Sequence, residues 1–294
     1  MGLGRRWHGA ILATMFLAVT TSACTKPLAG MDGDLTNQWP AMVAPAIWQP
    51  TPEACHNQFA VNLSLALYNE VDCTKPHGYQ TVHVGQLTGD AASQAQPPAI
   101  DSAAYKGARG ECDSRLATFL GGQWKDRKVR LRIAVPSADA WTGGARWYSC
   151  EAAAYTTSNR AVKILEVSLK DAFDALAELK FGCHDVPPKG TSTPRSCEES
   201  HNTEYVGHFN YVDMSYAAMK AEAAKEDDDL HRKCMPLVGP YVGVPNLGSG
   251  TWLWNPTEED WNAGDRTMHC FLWLNETKVS KSLKGVGKAG WPIK

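Results

Sequence analysis

Two short strings in this chain combine residue types that bind metals or move protons. Cys73-Thr-Lys-Pro-His77 and Cys197-Glu-Glu-Ser-His201 each set a sulfur and an imidazole four positions apart. Thiolate and imidazole are the usual ligands of zinc. Three positions after the second histidine stands Glu204, and a His–Glu pair is general acid–base material. The residue answering it after His77 is Gln80, which cannot act as a base. A second pair of strings is longer. PSADAWTGGARWYSC ends at Cys150 and PTEEDWNAGDRTMHC at Cys270, and both read Pro-x4-Trp-x2-Gly-x-Arg-x3-Cys. In them Trp141 and Trp261 offer ring faces that could stack on a sugar. Arg146 and Arg266 offer charge and donors for an anion.

Each of these chemistries has a plainer competitor. Outside the cytoplasm the cysteines are oxidised, and a disulfide sulfur is not a thiolate ligand. No metal and no cofactor is therefore expected. His77 and His201 read as buried or half-buried hydrogen-bonding residues beside a turn, with ligand contact as the alternative. A tryptophan repeated beside glycine more often plugs a core than binds a sugar. Arg146 and Arg266 are expected to pair with a carboxylate or with backbone carbonyls, and Lys170 and Lys284 to be solvated. Catalytic signatures are absent: there is no His-Glu-x2-His, no Gly-x-Ser-x-Gly and no nucleotide loop. Gly285-Val-Gly287-Lys-Ala-Gly290 formally fits a dinucleotide fingerprint, but no βαβ unit can follow it, so it reads as a flexible tail. The chain is expected not to be an enzyme. The competing reading keeps one live acid–base site at His201 and Glu204.

The elements that must position these residues begin with an export signal. Arg5 and Arg6 precede the apolar run AILATMFLAVTTSA, which is too short for a stable membrane span. It ends at Thr21-Ser22-Ala23-Cys24, small residues before a cysteine as in a bacterial lipobox. Residues 1–23 then form a lipoprotein signal peptide, and Cys24 carries the lipid at the extracytoplasmic face of the cell membrane. Ordinary cleavage after Ala23 is the alternative. The chain has nine cysteines, so assigning Cys24 to lipid leaves an even eight, as an oxidising compartment favours. A net charge of −2 offers no basic face for nucleic acid.

The eight fall into two matched fours. Cys73 to Cys112 spans 39 positions and Cys197 to Cys234 spans 37; the next intervals are 38 and 36. Cys55-His56 answers Cys183-His184, Phe119-Leu120-Gly121 answers Tyr241-Val242-Gly243, and Ser168-Leu169-Lys170 answers Ser282-Leu283-Lys284. An internal duplication accounts for this. Residues 24–50 read as a tether, 51–172 as the first repeat and 178–290 as the second. The helical spacing of 171–180 suggests a helix joining them. Within a repeat, Thr81–Val84, Val129–Val135 and Thr251–Trp254 alternate as strands. Tyr216–Lys233 reads as a helix. The last cysteine of each repeat falls in an apolar strand. The expected fold is α+β: two tandem homologous disulfide-stapled domains, each a small mostly antiparallel sheet with one or two helices. Four cysteines allow three pairings per repeat. First with second and third with fourth is favoured, because the first bridge staples a hairpin and the second ties a helix to the last strand.

Taken in order, these residues resemble the septum formation domain of actinobacterial envelope proteins: Cys-x3-His, a helix with a cysteine, an aromatic–aliphatic–glycine step, then Pro-x4-Trp-x2-Gly-x-Arg-x3-Cys and Ser-Leu-Lys. The resemblance covers both repeats. It implies a lipid- or membrane-anchored extracytoplasmic protein with a link to cell division, and it supplies no reaction. The usual acidic residue after the histidine is Gln80 in the first repeat, and Gly264-Asp265-Arg266 reads Gly144-Ala145-Arg146 there. The expected role is non-catalytic binding or scaffolding, with an envelope protein or cell-wall component as partner. The cleft between the halves is the preferred binding location. A cell-wall-active hydrolase with one live site in the second repeat is the alternative.

Overall fold

The computed structural model describes residues 46–156, 160–188, 191–225 and 228–293. Cys24, the expected leader and most of the expected tether lie outside the described residues. The compact unit begins at Ile47. Trp48 packs edge-on against Trp147, whose Nε1 donates to the Trp48 carbonyl at 2.9 Å. The last few residues of the 24–50 stretch therefore belong to the fold and not to a tether.

The first half runs β1 (Cys55–His56), β2 (Asn62–Leu63), β3 (Glu70–Val71), β4 (Tyr79–Gln86), α1 (Gly89–Ala92), α2 (Ala103–Leu120), β5 (Val129–Pro136), α3 (Ala138–Thr142) and β6 (Trp147–Ala154). The second runs β7 (Cys183–Asp185), β8 (Thr193–Arg195), β9 (Thr203–Asn210), α4 (Tyr216–Glu222), α5 (Asp229–Val242), β10 (Gly250–Trp254), α6 (Glu258–Asn262), β11 (Thr267–Trp273) and a final turn, α7 (Gly287–Gly290). The sheets are ordered β2-β5-β6-β4-β1-β3 and β10-β11-β9-β7-β8. Position by position they are the same sheet, except that β2 adds a strand to the first. All pairings are antiparallel apart from β2 with β5. The fold is α+β, but residues 47–294 form one compact unit. The expected division into two domains is replaced by two sheets sharing an interface.

Each long helix packs on its sheet for the reason its sequence gives. In α2 the buried residues Tyr105, Ala108, Cys112, Leu116 and Phe119 recur every three or four positions, and in α5 Leu230, Cys234, Val238 and Val242 recur every four. Ser102 caps α2 by accepting from the Tyr105 amide, and Asp228 caps α5 by accepting from the His231 amide. That cap is also why the expected helix over Tyr216–Lys233 divides. The acidic run supplies an N-cap, so α5 starts afresh after α4 ends at Glu222. The expected helix over 171–180 does not form beyond a 3-10 turn at Ala177–Leu179. Asp171 has φ +55°, outside the right-handed region. The amides of Asp171 and Phe173 are spent on the Phe119 and Leu120 carbonyls at the end of α2. The Gly285–Gly290 stretch is no loose tail either: Gly285 N donates to the Tyr241 carbonyl, and Val286 and Trp291 pack on the Val242–Leu283 cluster.

Four disulfides join Cys55–Cys73, Cys112–Cys150, Cys183–Cys197 and Cys234–Cys270. The first and third staple hairpins; the second ties α2 to β6 and the fourth ties α5 to β11. In the chain-entropy view loops of this size contribute about 3–4 kcal/mol each.

Candidate functional site

The second Cys-x3-His string forms a buried latch. His201 and Glu204 are both essentially inaccessible. His201 Nδ1 donates to the Glu199 carbonyl at 2.7 Å, and Nε2 lies 3.0 Å from Glu204 Oε1. The carboxylate also accepts the Leu283 amide at 2.8 Å, the Ser282 hydroxyl at 2.9 Å and the Tyr241 hydroxyl at 2.7 Å. One carboxylate on β9 thus holds the Ser-Leu-Lys segment and the end of α5. Burial pushes the Tyr241 hydroxyl up from its ordinary pKa, so it stays a donor.

The first half builds the same latch with an amide. Gln80 Oε1 accepts the Leu169 amide at 2.8 Å, and its Nε2 donates to Ser168 Oγ at 2.9 Å and to the Glu53 carbonyl at 3.0 Å. His77 Nδ1 meets the Lys75 carbonyl at 2.8 Å, while its buried Nε2 has no partner. Gln80 for Glu204 therefore keeps the tie to Ser-Leu-Lys and gives up the imidazole. Lys170 pairs with exposed Glu53, and Lys284 is exposed.

Both Trp–Gly–Arg strings fold into self-contained plugs. Trp141 and Trp261 are about 1% exposed, so neither presents a ring to a sugar. Their indole N–H groups donate to the Gln94 and Met214 carbonyls. The arginines lie over the indoles, 4.0 Å from ring centre for Arg146 and 4.3 Å for Arg266. Arg146 donates to the carbonyls of Ala92, Trp141 and Ala145, while Arg266 adds Asp213 to the corresponding turn. Gly144 and Gly264 supply φ of +99° and +95° where the chain turns from helix into strand.

A cation finds no open ligand set in the cluster Cys183, His201 and Glu204, because the Cys183 sulfur is bonded to Cys197 and the other two groups face each other. Ser282, Glu204 and His201 form a chain, but the serine faces the carboxylate rather than the imidazole. A nucleophilic serine needs its base alongside.

Sequence reasoning missed three arrangements. First, His56 Nε2 lies 2.9 Å from Glu151, which also accepts from Thr81, with Tyr68 bonded to Thr81; all four residues are buried. The counterpart of Glu151 is Phe271, so nothing in the repeat pointed to it. Second, the halves meet through charge. Arg130 and Arg132 on β5 reach Asp260 at 3.2 and 3.4 Å, Arg132 reaches Glu259 at 3.0 Å, and Arg109 faces Asp265. Asp126 accepts from Tyr205 at 2.7 Å and pairs with His208 at 2.8 Å. Burial would raise the Asp126 carboxyl, but those two hydrogen bonds, together with the electrostatic pull of the nearby His208 and His269, outweigh it and hold it low. The expected cleft between the halves is thus largely a filled junction. It keeps a small, partly open space of about 30 Å³ beside Arg130, Tyr155 and Asp260, and a groove of about 380 Å³ between α2 and the Gly264 turn. Third, Trp252 and Trp254 line a groove of about 600 Å³ along β10, with Tyr216, Lys220 and Arg160. The alternation of Thr251–Trp254 was legible; its partly exposed tryptophans were not singled out.

The model of the septum formation family matches residues 53–270, one span that takes in the first half and the second as far as β11. The chain belongs to that family. No curated protein and no solved structure matches it.

Proposed function

We propose that this member of the septum formation family is a binding or scaffolding protein. It is anchored by lipid at Cys24 to the extracytoplasmic face of the cell membrane, works during septum formation and catalyses no reaction. One observation carries the non-catalytic reading: apart from the buried Nε2 of His77, the polar groups repeated in both halves are spent inside the fold. Glu204 serves four donors or partners, Arg146 and Arg266 cap turns, and Trp141 and Trp261 are buried. Groups so committed hold a shape and have no free valence for a substrate.

The wall-hydrolase reading draws on the Ser282–Glu204–His201 chain, and one assay separates the two. Purified protein is incubated with isolated cell wall, and soluble fragments are measured. The expected release equals that of buffer. Release lost in Ser282→Ala, with the fold intact, would overturn the proposal. For the anchor, Cys24→Ala should move the protein from the membrane fraction to the soluble one. Enrichment of the tagged protein at division sites tests the link to the septum.

A further inference from the structure

The two sheets differ at one place. In the first, β2 covers the outer edge of β5 in parallel, pairing Asn62 with Val135 and Leu63 with Pro136. Val135 N donates to the Val61 carbonyl at 2.8 Å and Ser137 N to the Leu63 carbonyl at 2.9 Å. In the second sheet β10 is the edge, and no strand among the described residues pairs with its outer side. The registers make the halves comparable. Ile133 stands opposite Cys150 and Leu253 opposite Cys270, so Val135 and Ser137 correspond to Asn255 and Thr257. The amides of Asn255 and Thr257 have no partner among the described residues. The reason lies in chain length. The stretch that supplies β2 lies between Cys55 and Cys73, 18 apart, while the matching bridge joins cysteines only 14 apart.

The open edge is also furnished. Trp252 and Trp254 lie on one side of the strand, as alternate residues must. Trp252 packs 4.9 Å from Phe271 and remains partly exposed. Tyr216 packs with Leu253 on the opposite face, where Lys220 and the exposed Glu258 also line the groove, and Arg160 lies over Trp254 at 4.9 Å. Asn255 Oδ1 is buried without a partner in the same wall. The counterpart of Trp254 is Ala134, which leaves room for Leu63 of β2. An occupant of the second edge must instead lay its side chain over the indoles.

We infer that the β10 edge binds an extended peptide segment of a partner protein, added in parallel as a sixth strand. Its apolar side chains rest on Trp252 and Trp254 beside Arg160, and the alternate acidic side chains, on the opposite face, meet Lys220. The first half is the internal precedent, for there the chain fills the same edge with its own strand. Main-chain hydrogen bonds supply affinity in this mode and alternate side chains supply specificity. The inference deepens the binding reading and rests on it for its biology, but its test is made on the isolated protein and stands apart from septal localisation or wall assays.

The probes are ten-residue synthetic peptides with alternating valines and glutamates, their lysine-for-glutamate counterparts, and copies N-methylated at alternate amides. Hydrogen exchange at Asn255 and Thr257 and tryptophan fluorescence are the readouts. The acidic peptide should slow exchange at both amides and bind more tightly than the basic one. N-methylation should abolish this, without any change to the protein. Trp252→Ala should weaken binding about tenfold, the loss of roughly one buried aromatic contact. No protection at millimolar peptide overturns the inference. So does equal binding of the N-methylated copies, protection by wall oligosaccharides alone, or protection through self-association at raised protein concentration.

Discussion

Removing the Glu204 carboxylate tests whether the Cys-x3-His string is a latch or a site. In Glu204→Ala the Leu283 amide, which is buried, loses its acceptor. His201 Nε2 becomes an orphan like His77 Nε2, and the Tyr241 and Ser282 hydroxyls lose their common partner. One unsatisfied buried donor costs about 1–3 kcal/mol. Breaking a buried charged network by removing one member costs about 3–5 kcal/mol. The expected loss is therefore about 3–5 kcal/mol, a large part of the 5–15 kcal/mol typical of a folded protein. At roughly 2–4 °C per kcal/mol for a chain of this size, Tm should fall by about 6–20 °C. Gln80→Ala is the internal control. It strands the Leu169 amide but breaks no imidazole pair, and should cost about 1–3 kcal/mol. Glu204→Gln, which copies the first half, should fall between wild type and Glu204→Ala. The assay is urea unfolding followed by tryptophan fluorescence with the disulfides intact. A cost below about 1 kcal/mol for Glu204→Ala would refute the latch.

Other outcomes follow from the same geometry. Asp260→Ala leaves Arg130 and Arg132 facing no carboxylate at Asp260 and removes the Thr257 cap partner, so it should cost about 3–5 kcal/mol by urea unfolding. Gly264→Ala forces a side chain to φ +95° and sets its Cβ 3.0 Å from Arg109; it should cost about 1–3 kcal/mol, whereas Gly248→Ala, with open space around it, should cost under about 1. Burial pushes His184 and His269 down to about 4. The unfolded chain takes up these protons first, so stability is full above about pH 6.5 and declines as pH falls toward 4, by at most about 3 kcal/mol for His184. His184→Gln should flatten that limb of a stability–pH curve. Full reduction should add eight hydrogens to the mass of the four bridges, and fewer would mean that a bridge does not form.

What the sequence disclosed follows from where the constraint is local. The disulfide pairing, the strands around Thr81, Val129 and Thr251, and the buried Trp–Gly–Arg turns rest on short-range patterns repeated twice. The broken helix at Asp228 and the irregular 171–180 segment were missed because capping and chain-end hydrogen bonds overrode helical spacing. The His56–Glu151 pair was hidden because its members lie 95 residues apart and only one half has it. Arg130 and Arg132 lie in a stretch whose alternation indicates a strand but names no partner, and only the second half placed against them reveals Asp260.

Those arginines also explain why two halves built on one topology do not behave alike. The counterparts of Arg130 and Arg132 on β10 are Gly250 and Trp252, and the counterparts of Glu259 and Asp260 on α3 are Asp139 and Ala140. The cations thus lie on the first sheet alone, and the buried acid that receives them lies on the second alone. Such a contact is heterologous: it joins the first half to the second, and the same chemistry cannot join either half to its own kind. The same difference that lets the first half grip the second places Gly250 and Trp252 on β10 where β5 has arginines. That strand has tryptophans on one face and an edge with no paired strand among the described residues, while the first sheet is sealed by both β2 and the second half. Any binding that exploits the shared topology is therefore expected at the second sheet, where no strand among the described residues covers the edge.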